Sequence, residues 1–79
     1  MYVNYMLRDD IMEYKRIKNL REDNDLKQKE IAYYLKITQQ QYSLYEKGIR
    51  DIPVDLLIRL ANYYNVSIDY IVGRSNNKI

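Results

Sequence analysis

Residues 27–46, KQKEIAYYLKITQQQYSLYE, constrain the fold more than any other stretch, because they read as two short helices joined by a tight turn. Ile31, Ala32 and Leu35 recur at helical spacing, so the first half has one apolar face. The small Ala32 on that face allows a second helix to approach closely. The apolar pattern stops at residues 36–37, which predicts the turn.

A second helix is predicted to begin at Thr38 or Gln39. The Thr38 hydroxyl can accept from free backbone N–H groups, and Gln41 lies three residues later, where its side chain completes a capping box. Tyr42 and Tyr45, three residues apart, form the inward face of this helix. The outward face then consists of Gln39, Gln40, Ser43, Leu44 and Lys47.

Three further helices are predicted around these two. The first covers residues 11–23 and ends near Asn24, which can adopt the left-handed conformation. The fourth begins at Pro53 and ends at Asn65, and the fifth runs from Ser67 to Gly73, while Gly48 closes the helix before the fourth. The inward residues predicted for these three helices are Tyr14, Ile17 and Leu20; Leu57, Leu60, Ala61 and Tyr64; and Ile68, Ile71 and Val72.

The composition argues against several classes of protein. A chain of 79 residues supports one small domain. It contains no cysteine and no histidine, so it lacks thiolate ligands, the commonest general base and the commonest metal ligand. We therefore expect no enzyme activity, no metal site and no cofactor. No apolar run approaches a membrane span and the first residues do not resemble a secretory signal, so a cytoplasmic location is expected.

Positive charge is concentrated on the two-helix stretch. Residues 27–50 carry five basic and two acidic side chains, whereas residues 1–26 carry five basic and six acidic ones. A polyanionic partner is one explanation for this excess. A solvated surface is the more common one.

Residues 16–73 resemble the helix-turn-helix domain of the Cro, cI and Xre family of phage and bacterial transcriptional regulators. The resemblance rests on RIKNLRE, the pattern LxQxxIAxxL from residue 26, Ile37-Thr38, Tyr45-Glu46-x-Gly48, and LLIRLANYYNVSIDYIVG, in this order. It implies an all-α, compact, five-helix, lambda-repressor-like DNA-binding domain over residues 13–73, with the helix-turn-helix at helices 2 and 3. Residues 1–12 form an N-terminal extension of unassigned role, and residues 74–79 form a polar tail.

The resemblance also implies which residues read base edges. Helix 3 of such domains lies in the major groove with its N-terminal residues at the bases. The implied base-contacting residues are Gln39, Gln40, Ser43 and Leu44. A glutamine amide can bond adenine N6 and N7 together, and an apolar Leu44 suits a thymine methyl. The alternative is that these are ordinary exposed side chains, because glutamine is a good helix former and exposed leucines are common.

Phosphate contacts are implied for a second group, which positions the protein without reading sequence. In the family the glutamine that opens helix 2 bonds a phosphate, and Gln28 holds that place. Lys27, Lys47 and Arg50 flank the same face and are further candidates for phosphate contacts, and Gln41 is a candidate for either a phosphate or a base contact. Any one of these lysines, taken alone, is more often a solvated surface charge.

A structural ion pair between Arg21 and Glu46 is also implied, because family members pair an arginine at the end of helix 1 with the glutamate ending helix 3. The chain departs from the family pattern at four positions. Asp25 and Lys36 stand where glycine is frequent, Lys27 stands where a serine or threonine caps helix 2, and Tyr42 stands where an aliphatic residue is usual.

The expected partner is double-stranded DNA, bound by a homodimer at least on the DNA, because one recognition helix reads too few base pairs. Helix 5, residues 70–79 and the N-terminal extension are the candidate dimer surfaces. Two alternatives are an antitoxin that masks a toxin through the apolar residues 2–7, and a protein-interaction module without DNA binding. The operator, the regulated gene and any inducer are not readable from the sequence.

Overall fold

The computed structural model describes residues 16–79, and these residues form five helices and no strand. The described part of α1 covers residues 16–23; it is followed by α2 (Gln28–Leu35), α3 (Gln39–Glu46), α4 (Val54–Tyr64) and α5 (Ile68–Ile71). The predicted all-α, five-helix fold is confirmed. The N-terminal extension, the predicted start of the first helix and Tyr14 lie outside the described residues.

The turn between α2 and α3 forms where the apolar pattern stops. Lys36 adopts the left-handed conformation, with φ 62° and ψ 40°, and reverses the chain although it is not glycine. The Ile37 N–H then donates to the Ala32 carbonyl at 3.1 Å. Thr38 begins α3 as predicted, because its Oγ1 accepts from the Gln41 N–H at 3.0 Å.

The end of α1 differs from the prediction by one residue. Asp25, with φ 56°, is the left-handed residue, rather than Asn24. The Asn24 N–H still donates to the Leu20 carbonyl at 3.2 Å, and the Asn24 side-chain amide donates to the same oxygen at 2.8 Å. Helical hydrogen bonding therefore continues through Asn24, and the reversal comes at Asp25.

The core lies where α2 packs against α3 and α4, with α5 against α4. On α4 the predicted Leu57 packs against the core partly buried, whereas Leu56, which the sequence analysis did not predict as inward, is buried together with Leu60. On α5 the prediction of Ile68 is wrong, since its side chain is 37% exposed. The largest fully buried side chains are Tyr42, Ile17, Ile31, Leu35, Leu60 and Ile71.

The polar tail, residues 74–79, folds back onto the helices. The Arg16 guanidinium donates to the Tyr70 carbonyl at 2.7 Å, to the Ser75 carbonyl at 3.0 Å and to Asn76 Oδ1 at 2.9 Å. The tail is thereby attached to α1. None of the helices within residues 16–79 is long and apolar enough to cross a membrane.

Candidate nucleic-acid interface

A groove of about 550 Å³ runs along the outer side of α3. It contains all four residues predicted to contact bases, together with two of those predicted to contact phosphate. Gln39 and Gln40 are exposed, whereas Ser43 and Leu44 are half-buried. The residues that line the groove are Gln28, Gln39, Gln40, Ser43, Leu44 and Lys47.

The opposite face of α3 explains why these side chains point outward. Tyr42 and Tyr45 are 0% and 2% exposed, so they anchor α3 in the core. Since a helix turns once every 3.6 residues, anchoring this face leaves the remaining positions on the other side. The aromatic pair thus fixes the rotation of α3 about its own axis, which decides what the groove presents.

Glu46 joins three helices from the last position of α3. Arg21 donates to it through Nε at 2.7 Å and through Nη2 at 3.2 Å, so the ion pair implied by the resemblance is present. Gln28 Nε2 donates to the same carboxylate at 3.0 Å. Burial acts to raise the pKa of Glu46, but hydrogen bonds led by that from Arg21 outweigh it, and the pKa lies below its ordinary value.

The pKa values of the two neighbouring groups, Arg21 and Tyr42, agree with this geometry. The hydrogen bond to Glu46 raises the pKa of Arg21. Burial, followed by the nearby Glu46 carboxylate, raises the pKa of the Tyr42 hydroxyl. All three groups therefore keep their ordinary charge states at neutral pH, with the guanidinium and carboxylate ionised and the phenol neutral.

The bond between Gln28 and Glu46 was not predicted from the sequence, because it depends on how α2 packs against the end of α3. It does not occupy the whole amide of Gln28. A glutamine amide has two N–H donors and an acceptor oxygen, so this bond uses one donor and involves neither the second donor nor the oxygen. Gln28 lines the groove with an orientation fixed by Glu46.

The other residues predicted to contact phosphate fall into two groups. Lys47 is exposed and lines the groove, next to the C-terminal end of α3. Lys27, Gln41 and Arg50 are not among the groove-lining residues. Lys27, which precedes α2, and Arg50, which follows α3, are both exposed. The Gln41 amide donates to the Tyr45 hydroxyl at 3.3 Å.

Helix α2 begins without a side-chain cap, as the presence of Lys27 predicts. Instead a side chain within the first turn bonds back to the capping residue, because the Lys27 N–H donates to Glu30 Oε1 at 2.7 Å. A carboxylate in the first turn of a helix also complements the helix dipole. Within residues 16–79 no group of three or more His, Cys, Asp or Glu side chains could hold a metal ion.

Arg59 on α4 is a residue that the sequence analysis missed. Its guanidinium donates through Nη2 to the Tyr34 carbonyl at 2.7 Å and through Nη1 to the Leu35 carbonyl at 3.4 Å. These are the last two residues of α2. No local pattern predicts this contact, since it depends on how α4 packs against α2.

Several known proteins are similar to this chain. It is 43% identical to the HTH-type transcriptional regulator ImmR of Bacillus subtilis over 60 residues, which cover 76% of this chain and 47% of ImmR. It is 33% identical to the cryptic phage CTXphi transcriptional repressor RstR of Vibrio cholerae over 64 residues, covering 81% of this chain and 58% of RstR. It is 37% identical to the antitoxin PezA of Streptococcus pneumoniae over 59 residues, covering 75% of this chain and 37% of PezA.

The chain spans about half the length of the curated relatives that it matches. No solved structure matches it. A family profile described as helix-turn-helix matches residues 17–71, which include α2, α3, α4 and α5. With its adjacent α2 and α3 and these relatives, the chain belongs to the Cro/cI/Xre-type helix-turn-helix family of transcriptional regulators.

Proposed function

We propose that this chain is a sequence-specific, double-stranded DNA-binding transcriptional regulator, and that it acts as a repressor with α3 in the major groove of operator half-sites. The observation that carries the proposal is the groove along α3, which gathers Gln39, Gln40, Ser43 and Leu44 on one surface. The family consists of DNA-binding regulators and not of enzymes, which agrees with the prediction that the chain is not an enzyme.

In this proposal Gln39 and Gln40 supply direct base readout. Both are exposed in the first turn of α3, where the residues of a recognition helix reach base edges. Each amide can form the two-bond contact with adenine N6 and N7. Ser43 and Leu44 lie one turn further along the same surface, and Leu44 provides an apolar contact for a thymine methyl.

In this proposal a second group of residues contacts the phosphates of the DNA backbone, namely Gln28, Lys27, Gln41, Lys47 and Arg50. The N-terminal end of α2 favours an anion through its free N–H groups and the helix dipole. The Gln28 amide stands at that end, and its bond to Glu46 orients it before DNA arrives. Lys47 and Arg50 follow α3 and supply positive charge beside the groove.

The repressor role and the dimer draw on the relatives and on geometry. RstR is named as a transcriptional repressor, which supports the same sign of regulation here. One recognition helix contacts few base pairs, so we infer a homodimer, at least on DNA, with half-sites about 34 Å apart. Such a regulator would act on DNA in the cytoplasm.

The second candidate function is that of an antitoxin, which binds a partner toxin as well as DNA. It is supported by the similarity to PezA, which is named as an antitoxin. The protein surface proposed for that partner is the N-terminal extension, residues 1–12, whose apolar residues 2–7 suit a protein contact. A protein-interaction module that has lost DNA binding is the remaining alternative.

Selection of bound duplexes from a random pool at a fixed salt concentration tests the proposal. We expect enrichment of a palindrome whose half-sites contain adenines at the positions facing Gln39 and Gln40. Enrichment that is lost when both glutamines are replaced by alanine would support their role. If the parent protein enriches no sequence, DNA readout is wrong and the interaction-module alternative is favoured.

A further inference from the structure

The C-terminal end of α2 has four carbonyl groups that no intrahelical N–H can reach, as every helix has. Two of them accept backbone N–H groups from the turn that follows. The Ile37 N–H donates to the Ala32 carbonyl, and the Lys36 N–H donates to the Tyr33 carbonyl, each at 3.1 Å. This is the pattern of a helix closed by a left-handed residue.

The other two carbonyls accept from a different helix. Arg59 of α4 donates to the Tyr34 carbonyl at 2.7 Å and to the Leu35 carbonyl at 3.4 Å. One guanidinium therefore completes the hydrogen bonding at the end of α2. Its positive charge also lies at the negative end of the helix dipole, where a cation is favourable.

Aromatic contacts hold Arg59 in this place. Its guanidinium carbon is 5.2 Å from the centre of the Tyr34 ring, and the Tyr34 ring lies 4.6 Å from the ring of Tyr63 on α4. The guanidinium is thus bound to the backbone and the side chain of the same residue. These contacts attach the end of α2 to the middle of α4.

The turn that follows is short and strained, so its shape depends on this support. Only residues 36–38 separate α2 from α3, and Lys36 has φ 62° without being glycine. A change in the last turn of α2 is passed directly to Thr38, which caps α3. Tyr42 and Tyr45 fix the rotation of α3, and this cap fixes where its first turn, with Gln39 and Gln40, begins.

We propose that Arg59 is a positioning residue for DNA recognition: it fixes the last turn of α2 and thereby the orientation of α3, without contacting DNA. This inference rests on the proposed function. It also makes a claim about α3 that holds without DNA, namely that the turn loosens when Arg59 is replaced. The two claims can be measured separately.

The test compares Arg59→Gln with Arg16→Gln. Arg16 is a matched control, because its guanidinium also donates to two carbonyls and lies 4.3 Å from the centre of a tyrosine ring, that of Tyr70. It acts on α5 and the tail instead of α2. Each variant loses one guanidinium that bonds backbone carbonyls of another helix or of the tail. The two variants are compared at a temperature at which each is fully folded.

Amide hydrogen exchange and DNA affinity are the two readouts. For Arg59→Gln we expect the Lys36 and Ile37 amides to exchange about tenfold faster than in the parent, and the selected duplex to bind about tenfold more weakly, the size of a lost bond to a charged donor. The salt dependence of binding should not change, because no phosphate contact is lost. Arg16→Gln should alter neither these amides nor the affinity.

Unchanged exchange of the Lys36 and Ile37 amides in Arg59→Gln would overturn the positioning role. A reduced salt dependence would also overturn it, because it would mean that Arg59 contacts phosphate. If the parent selects no duplex, the proposed function fails, and the exchange measurement still decides whether Arg59 holds the turn.

Discussion

Arg21 and Glu46 connect α1 to the end of α3 through two hydrogen bonds, of 2.7 and 3.2 Å, with side chains that are only 11% and 4% exposed. Arg21 also donates to the Leu26 carbonyl at 2.8 Å, in the turn that leads to α2. The guanidinium is therefore shared between the end of α3 and the beginning of the helix-turn-helix. This pair holds α3 against α1 and the start of α2.

Arg21→Ala is expected to destabilise the protein by about 3 kcal/mol, because it leaves a largely buried carboxylate without its partner. DNA binding should weaken because the end of α3 loosens, although Arg21 itself is not proposed to contact DNA. Urea unfolding and a titration with the selected duplex measure the two effects.

The double variant Arg21→Met, Glu46→Leu is the control for this prediction. Removing both charges should cost less than removing one, since no uncompensated charge stays buried. An Arg21→Ala variant that unfolds and binds DNA like the parent would contradict the structural role of the pair.

Lowering the pH should reduce the free energy of unfolding, because Glu46 becomes protonated. The pKa of this carboxyl is lowered in the folded protein from an ordinary value of 4.5. The unfolded state therefore takes up a proton at higher pH than the folded state does. The stabilisation is complete above pH 4.5 and is lost as the pH falls from there through the lower folded-state pKa.

Denaturant unfolding at a series of pH values, compared between the parent and Glu46→Gln, measures this loss. The difference in unfolding free energy between the two proteins should be constant at neutral pH and shrink below pH 4.5. A difference that stays constant throughout would show that Glu46 does not carry the effect.

Gln39→Ala and Gln40→Ala should each relax base preference at one operator position. The expected loss is about 1–3 kcal/mol of discrimination between adenine and the other bases there. Affinity for the remaining positions and the salt dependence should stay as in the parent. Competition binding with single-base operator variants measures the preference.

Gln41→Ala is the matched control, because Gln41 is the same residue type on the same helix but does not line the groove. Its amide is bonded to the Tyr45 hydroxyl instead. It should leave the preferred bases unchanged, although affinity for all duplexes can fall by a similar factor because Gln41 is a proposed phosphate contact. The proposed base contacts are wrong if all three variants relax the preference equally.

Lys47→Ala should weaken binding to all duplexes by a similar factor and reduce the salt slope by about one, as the loss of one phosphate contact does. Lys18→Ala, an exposed lysine on α1, serves as the control and should change neither quantity. Affinities measured over a range of salt concentrations give the slope. An unchanged slope for Lys47→Ala would remove this lysine from the phosphate contacts.

The sequence predicts the fold well wherever the determinant is local. Thr38 as the cap of α3, Gly48 with φ 76°, and Tyr42 and Tyr45 as the buried face all follow from residue type and spacing. The family pattern locates the ion pair because it carries information about distant residues. These features are enough to predict which residues of α3 face outward.

What the sequence did not predict depends on packing between helices. Leu56 and Leu57 are both apolar neighbours, and only the rotation of α4 against α2 decides that Leu56 is buried. In the same way, Arg59 lies 24 and 25 positions from the carbonyls that it binds. Helix periodicity describes one helix at a time and carries no information about such contacts.

The attachment of the tail has a consequence for the order of folding. The hydrogen bonds from Arg16 to the C-terminal part of the chain span 54, 59 and 60 positions, whereas those from Arg21 to Glu46 span 25. Closing a longer loop costs more chain entropy before its contacts form. We therefore expect the contact between α1 and α3 to form first, and residues 74–79 to dock late onto α1 and α5, after the groove along α3 has formed.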